Sequence, residues 1–290
     1  MNYHHIYHAG NFADVFKHII LVLCLEKMHE KPNAFFALDT HAGLGKYDLQ
    51  DEKSLKTSEF IGRENFKKIA AFLPPRYLKI LAKINRCEIH ELYEKMRIYA
   101  GSPAIIRDYL RRDDRAIFAE LNCDDFSQLR KNFAGSEKFS LLKEDGFALL
   151  KSKLPPLEKR GIVLIDPAFE KDQSKVSIDY LKIVDSMQEA YKRFATGVYL
   201  VWHPIIKSDV ETLKIFYEKM SALKFEKKMH VTFDIGSKEN DTKMHANGMW
   251  IFNAPWQLDE KLNEILPEVL KVLAQAKDAK CSINQFSHQA

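Results

Sequence analysis

The run Gly161-Ile-Val-Leu-Ile165, closed by Asp166-Pro167, most constrains what this chain can fold into. Four successive branched apolar residues between a glycine and a proline cannot alternate between core and solvent. Such a run is a strand covered on both faces, which is the situation of a parallel sheet in an α/β protein. Asp166 then stands at the carboxyl end of that strand. In open α/β sheets ligands bind beyond those ends, so this acid faces a site and not the core.

The rest of the chain repeats the alternation. Helical spacing from Ala13 to Lys31 precedes a strand over Ala34–Leu38, and Asp39-Thr-His41-Ala-Gly43-Leu-Gly45 follows it. From Ser102 helix and strand alternate again, with strands expected at Ala116–Leu121, just before Glu144-Asp145-Gly146, and at Gly197–Trp202. Ser102 and Pro103 read as an N-cap and first helical residue of a helix to about Arg112. Segments near Lys228–Phe233 and Gly248–Phe252 form a closing hairpin, and the last helix covers about Leu258–Ala276. A mostly parallel sheet with helices on both faces and an antiparallel edge is the expected architecture.

Residues 48–100 depart from this pattern, with charged amphipathic helices interrupted by Pro74-Pro75. They are expected to form a helical insertion subdomain, leaving 1–47 and 101–290 as the main domain. Between Arg63 and Arg86 seven basic residues stand against one acidic residue, Glu64, a patch able to hold phosphates or simply a solvated helix face. Over the whole chain 44 basic residues against 40 acidic leave a net charge of +4, too small to identify a nucleic-acid binder. The four cysteines lie far apart, which excludes a disulfide framework or a thiolate zinc site and points to a reducing cytoplasm. The longest apolar run, Ile19–Leu25, is far short of a membrane span.

Four acids fall at the ends or turns of successive strands: Asp39, Glu120, Asp145 and Asp166. A cofactor bearing a nucleoside needs this series. Gly43 and Gly45 let the backbone approach it, Glu120 can accept both ribose hydroxyls, and Asp145 with the Gly146 amide can meet an adenine edge. The glycine turn lacks the spacing and the Ser/Thr of a phosphate-binding loop, and no third glycine follows Gly45. S-adenosylmethionine, which carries no phosphate, fits better than a nucleotide. At Asp166 the chemistry of an amine acceptor is equally legible. The carboxylate can accept one hydrogen of an exocyclic amino group, the Pro167 carbonyl the other, and the Phe169 ring can stack on the base.

These residues carry a resemblance to the RlmJ family of 23S rRNA adenine-N6 methyltransferases. The matching segments are His8-Ala-Gly-Asn11-x-Ala-Asp14-Val-x-Lys17-His18, Leu38-Asp-Thr-His41-Ala-Gly43-x-Gly45, Gly101-Ser102-Pro103, Glu144-Asp145-Gly146, Ile165-Asp166-Pro167 and Asn247-Gly-Met with Asn253-x-Pro255-Trp256. The resemblance implies a Rossmann-like S-adenosylmethionine-dependent methyltransferase domain with a small helical insertion. It also implies a monomer acting on 23S rRNA before ribosomal proteins cover it. Its cofactor contacts fall on Lys17, His18, His41, Ser102, Glu120, Asp145, Gly146 and Asp166. Its catalytic acid falls on Asp166, and a tyrosine that approaches the target base falls on Tyr3. Lys17 and His18 are then available to the carboxylate of the cofactor's methionine part.

The chain departs from the usual Asp-Pro-Pro-aromatic pattern at Ala168, and its aromatic is Phe169 instead of tyrosine. Losing the second proline frees one φ angle but keeps the carboxylate, the Pro167 carbonyl and the ring. A similar motif, Asn253-Ala-Pro255-Trp256, ranks below Asp166 because it lies outside the series of cofactor acids. His4, His8 and His18 invite a metal reading, yet no acid or cysteine cluster accompanies them, and no metal is expected. The amine clamp alone leaves a DNA adenine or small-amine methyltransferase open, and Ala168 leaves open a non-catalytic rRNA-binding assembly factor.

Overall fold

The computed structural model describes residues 5–57, 59–170, 177–237 and 244–287. Along the chain the strands are β1 (Phe36–Asp39), β2 (Lys46–Asp48), β3 (Ile98–Ala100), β4 (Arg115–Ala119), β5 (Phe139–Leu142), β6 (Gly161–Ile165), β7 (Val198–Ile205), β8 (Lys227–Asp234), β9 (Ala246–Phe252) and β10 (Lys280–Ser287). The helices are α1 (Phe12–Glu30), α2 (Glu52–Thr57), α3 (Arg63–Ile69), α4 (Pro75–Asn85), α5 (Leu92–Lys95), α6 (Ser102–Tyr109), α7 (Cys123–Phe133), α8 (Gly146–Ser152), α9 (Asp179–Phe194), α10 (Val210–Ser221) and α11 (Leu258–Leu273). Eight strands form one sheet in the order β10-β8-β9-β7-β6-β1-β4-β5. The five from β7 to β5 run parallel, and β8, β9 and β10 are antiparallel to their neighbours. The architecture is the Rossmann-like arrangement expected.

From β1 the chain runs outward to β4 and β5, then returns to lay β6 and β7 on the other side. The connections therefore diverge between β1 and β6, and a crevice opens above their carboxyl ends. Phe36↔Gly161 through Asp39↔Leu164 fix the register there, so Asp39 and Asp166 end adjacent strands across the opening. All residues of β1 and β6 are buried, as the unbroken apolar runs require.

Helix α1 explains why the first stretch of sequence is apolar on every side. Val15 through Cys24 are buried, and the helix packs against α4, α6 and α11. α4 belongs to the charged stretch before β3, so that stretch supplies one wall of the α1 site. β2 and β3 pair antiparallel through Tyr47↔Tyr99 and close the two ends of the excursion. α8, α9 and α10 cover the opposite face of the sheet around Ile183, Met187 and Phe216. Among the described residues no helix is long and apolar enough to cross a membrane.

Three details differ from the reading of the sequence. Gly101, not Ser102, is the N-cap of α6, which ends at Tyr109. A helix expected over Lys207–Leu223 starts instead at Val210, because Lys207–Asp209 form a 3-10 turn, and it ends at Ser221. β10 was not expected, because Lys280-Cys-Ser-Ile-Asn-Gln is mostly polar. It is an edge strand that leans Cys281 and Ile283 on the core and sets the Phe286 ring 5.3 Å from that of Trp250.

A buried histidine pair sits in the antiparallel half. His203 on β7 and His230 on β8 reach over the intervening Gly248 of β9, where any Cβ would strike both rings. The rings stack with centroids 5.2 Å apart, and their Nε2 atoms are 3.0 Å apart. One Nε2 must donate and the other accept, so at most one ring can carry a charge, and burial favours the neutral form of both. Burial holds His203 well below its ordinary value, with the His230 charge adding to it, and pushes His230 down to about 4. The unfolded chain therefore binds protons that the folded chain refuses, and stability is lost as pH falls below about 6.5 toward about 4. Thermal melts at about pH 7.5 and about pH 5 are expected to show a smaller drop in midpoint for His230→Gln than for the wild type.

Candidate active site

The turn after β1 is built by close approach. The Thr40 hydroxyl donates to the Leu164 carbonyl at 2.9 Å and clips the turn to β6. Gly146 opens α8 directly over it, and a Cβ there would overlap the Thr40 carbonyl. Gly43 and Gly45 both have positive φ, +54° and +68°, which L side chains rarely adopt. Glu120, just past β4, fastens this turn: its Oε2 accepts the Gly43 amide at 2.9 Å and its Oε1 the Asn122 amide at 2.8 Å. Burial raises its pKa and those two amides oppose the shift. The Gly101 amide donates to the Gly45 carbonyl at 3.0 Å, bringing the start of α6 to the same place.

The other wall is electrostatic. The Asn11 side chain caps α1 by accepting the Ala13 and Asp14 amides at 3.0 Å. This orients Asp14, which accepts the Gly10 amide at 2.9 Å and lies 3.0 Å from His5 Nε2 and from Lys17 Nζ. Lys17 in turn reaches across to pair with Asp166. Burial opposes both charges. The Asp166 and Asp14 carboxylates nevertheless raise the Lys17 pKa, while His5 and Lys17 hold Asp14 well below the carboxylate range. At neutral pH the pair is ionised although Lys17 is 5% exposed and Asp14 is 2% exposed.

Two cavities meet at this ion pair. The first lies over β1 and is lined by Lys17, His18, His41, Gly43, Tyr47, Ser102, Glu120, Asp125, Asp166 and Pro167. The second, about 560 Å³, lies on the far side of Lys17 and Asp166 and is lined also by Asn11, Glu59, Phe169, Trp202 and His245. Asp39 is fully buried beneath the first, where burial, eased by Ser102, pushes its carboxyl up to about 7. Burial also pushes His18 down to about 3 and His41 down to about 4, against the pull of nearby carboxylates. His18 stays neutral between the Tyr77 and Tyr99 hydroxyls, at 3.3 and 3.2 Å. It offers a ligand a hydrogen bond but no charge, so the only cation of the expected pair is Lys17.

Of the residues expected from the sequence, Lys17, His18, His41, Ser102, Glu120, Asp166 and Pro167 converge on the first cavity. Asp145 does not line it. It is exposed and caps α8 through the Phe147 amide at 2.9 Å, with Gly146 buried beside it. Phe169 has φ +50° and is 8% exposed, its ring packed on Tyr180 at 4.8 Å and edge-on to Trp202 at 5.7 Å. Tyr3 and His4 lie outside the described residues. Asn253 is a structural clamp at the opposite end of the sheet, donating to the Ala195 and Gly197 carbonyls at 2.7 and 2.8 Å. No group of three or more His, Cys, Asp or Glu side chains among the described residues is placed to hold a metal ion. Sequence reasoning missed Asp14, Tyr47, Asp125 and Trp202. Only Trp202 carried a positional signal, closing the strand expected at Gly197–Trp202, although β7 runs on to Ile205.

Comparison with known proteins gives one consistent result. Residues 32–284 match the family described as ribosomal RNA large subunit methyltransferase D, RlmJ. The chain is 39% identical over 279 residues to ribosomal RNA large subunit methyltransferase J of Haemophilus influenzae, covering 94% of each chain. It is 34% identical over 289 residues to the protein of that name from Escherichia coli, covering 98% of each. A crystal structure of a Legionella pneumophila protein superposes with a TM-score of 0.83 at 30% identity, over 97% of this chain and 99% of that one.

Breaking the buried ion pair from its basic side would take from Asp166 its Lys17 partner and leave Asp14 only His5 and the Gly10 amide. Lys17→Met is therefore expected to cost about 3 kcal/mol or more of unfolding free energy, read from the urea midpoint at neutral pH. A loss under about 1 kcal/mol, the worth of an exposed pair, would contradict the buried geometry.

Proposed function

Because the chain belongs to the RlmJ family of large-subunit ribosomal RNA methyltransferases, we propose that it methylates N6 of an adenine in 23S rRNA, using S-adenosylmethionine. The observation that carries this reading is the position of Asp166, whose carboxylate lies on the wall shared by the two cavities. Methyl donor and acceptor can reach it from opposite sides.

The donor side fits S-adenosylmethionine by its chemistry. Glu120 is anchored by two backbone amides and can still accept hydroxyl protons of a ribose. The Gly43–Gly45 turn brings backbone close, with none of the cationic phosphate grip a nucleotide needs. Lys17 supplies the positive charge a methionine carboxylate requires, and Ser102 and His41 add neutral polar groups. Bound there, the cofactor would supply an electrophilic sulfonium methyl.

On the acceptor side the chain's own residues do the work. The N6 lone pair of adenine is delocalised into the ring, so the amino group is a weak nucleophile. Asp166 accepts one of its hydrogens and the Pro167 carbonyl the other, favouring a pyramidal nitrogen aimed at the methyl. As the N–C bond forms, nitrogen gains positive charge, and both oxygens stabilise it more than they stabilise the planar ground state. The ammonium formed is acidic, and its proton passes to Asp166 or to water. Lys17 faces the same carboxylate.

Within this reading the protein acts as a cytoplasmic monomer on rRNA not yet covered by ribosomal proteins. Residues 48–100 form the helical insertion subdomain beside a main domain of 1–47 and 101–290, with Tyr3 near the target base. The test is transfer of a tritiated methyl group from S-adenosylmethionine to protein-free 23S rRNA, with duplex DNA and free adenosine in parallel. Label is expected on N6 of adenine in rRNA alone. Asp166→Asn is expected to lower turnover by about a thousandfold with rRNA affinity little changed. Equal labelling of DNA, or an Asp166→Asn protein that still turns over, would sink the assignment.

A further inference from the structure

The second cavity has an aromatic wall that takes no part in the methyl transfer described above. β6 and β7 pair in parallel with Ile165 opposite Val201, so Asp166 and Trp202 are neighbours at the next position. Side chains at matched positions of parallel strands leave the sheet on the same face. Lys17 marks that face from both directions: its Nζ pairs with Asp166 and lies 5.8 Å from the centre of the Trp202 ring. Asp166, Phe169 and Trp202 all open onto the second cavity.

The indole is held rigidly. Its Nε1 donates to Asn247 Oδ1 at 3.0 Å, and Asn247 is itself fully buried, with its amide donating to the Phe233 carbonyl at 3.2 Å. Phe169 meets the indole edge-on at 72°. Trp202 nevertheless remains only half-buried, while Phe169 has spent its own ring on Tyr180 and Trp202.

We propose that Trp202, not Phe169, is the platform on which the target adenine stacks, and that Phe169 is the buttress that fixes it. This deepens the reading of the acceptor as an adenine and rests on it. An adenine whose amino group meets Asp166 has its ring system beside the neighbouring strand, where the indole stands. An electron-rich face that already attracts Lys17 suits a purine as well. Ordering by Asn247 and Phe169 means that little conformational freedom remains to be lost when the base arrives.

Two measurements test this. The chain has three tryptophans, of which Trp250 is 1% exposed and Trp256 is 76% exposed, so Trp256→Phe leaves Trp202 as the tryptophan a ligand can reach. Titrating that protein with adenosine monophosphate is expected to quench its fluorescence saturably, and adding Trp202→Phe is expected to remove the quench. In methyl transfer to 23S rRNA, Trp202→Leu is expected to lose about ten- to hundredfold in kcat/KM. Trp202→Phe, which keeps a stacking face, should stay within about threefold of the wild type, and S-adenosylhomocysteine affinity should be unchanged in both. The absence of a saturable quench, equal losses in the leucine and phenylalanine variants, or a matching loss of cofactor affinity would overturn the role. A wild-type protein that leaves no label on N6 would instead overturn the functional reading, and the quench, which needs no transfer, still decides Trp202.

Discussion

The ion pair between Lys17 and Asp166 ties together the parts of this molecule that the sequence keeps 149 residues apart. Lys17 comes from the first turns of α1 and Asp166 from the end of β6. Asp14 holds Lys17 from behind, and His5 and the Gly10 amide hold Asp14. The cost of burying these charges is met only while every member is in place. That couples three things: the seating of α1, the path of the segment before it, and the position of the acid at the crevice. The same pair separates the two cavities, so the group that stabilises the fold there also stands between the proposed donor and acceptor sites.

How much of this was legible in the sequence depends on the physics involved. Local rules located β6, the glycine turn and the acids at strand ends, because each follows from a short pattern with one steric cause. Gly146 illustrates the limit. Its place after Asp145 was visible, but its reason, contact with the Thr40 carbonyl, exists only once α8 is laid on β1. Asp14 and Tyr47 were invisible as site residues for the same reason. Asp14 reads as a first-turn helix acid, and nothing local says that it faces Lys17 inside a core. β10 was missed because an edge strand needs few apolar residues, and the single cap position at Gly101 shifted by one.

Charge patterning shows the same distinction between composition and structure. The seven basic residues between Arg63 and Arg86 read as a possible phosphate patch, but several are already engaged. Arg76 and Lys83 both pair with Asp108, Arg76 also lies 3.9 Å from the centre of the Tyr109 ring, and Lys67 covers Tyr93 at 4.4 Å. Arg76 and Lys83 fasten the charged stretch to α6, and Lys67 reaches the α5 ring. Basic residues placed to order the site's own walls contribute to RNA attraction only through the residual field, so the patch is weaker as a phosphate grip than its count suggests.

The replacement of a second proline by Ala168 follows from the same logic of shared supports. A proline there would fix one φ angle and so pre-order the loop that carries Asp166 and Pro167, the proposed partners of the acceptor. In this chain the loop is fixed on its far side instead. Phe169 adopts φ +50°, a conformation that phenylalanine enters only when its surroundings impose it, and its ring is gripped by Tyr180 and Trp202. Burying an aromatic ring stabilises by about 2–3 kcal/mol, enough to offset the strain of about 1–3 kcal/mol at such a residue. The ordering that the proline would supply through the backbone is thus supplied through the side chain. The ring that a stacking role would have left open is closed into the core. On the proposed reading, the loop can therefore dispense with its second proline only if another aromatic, Trp202, meets the base.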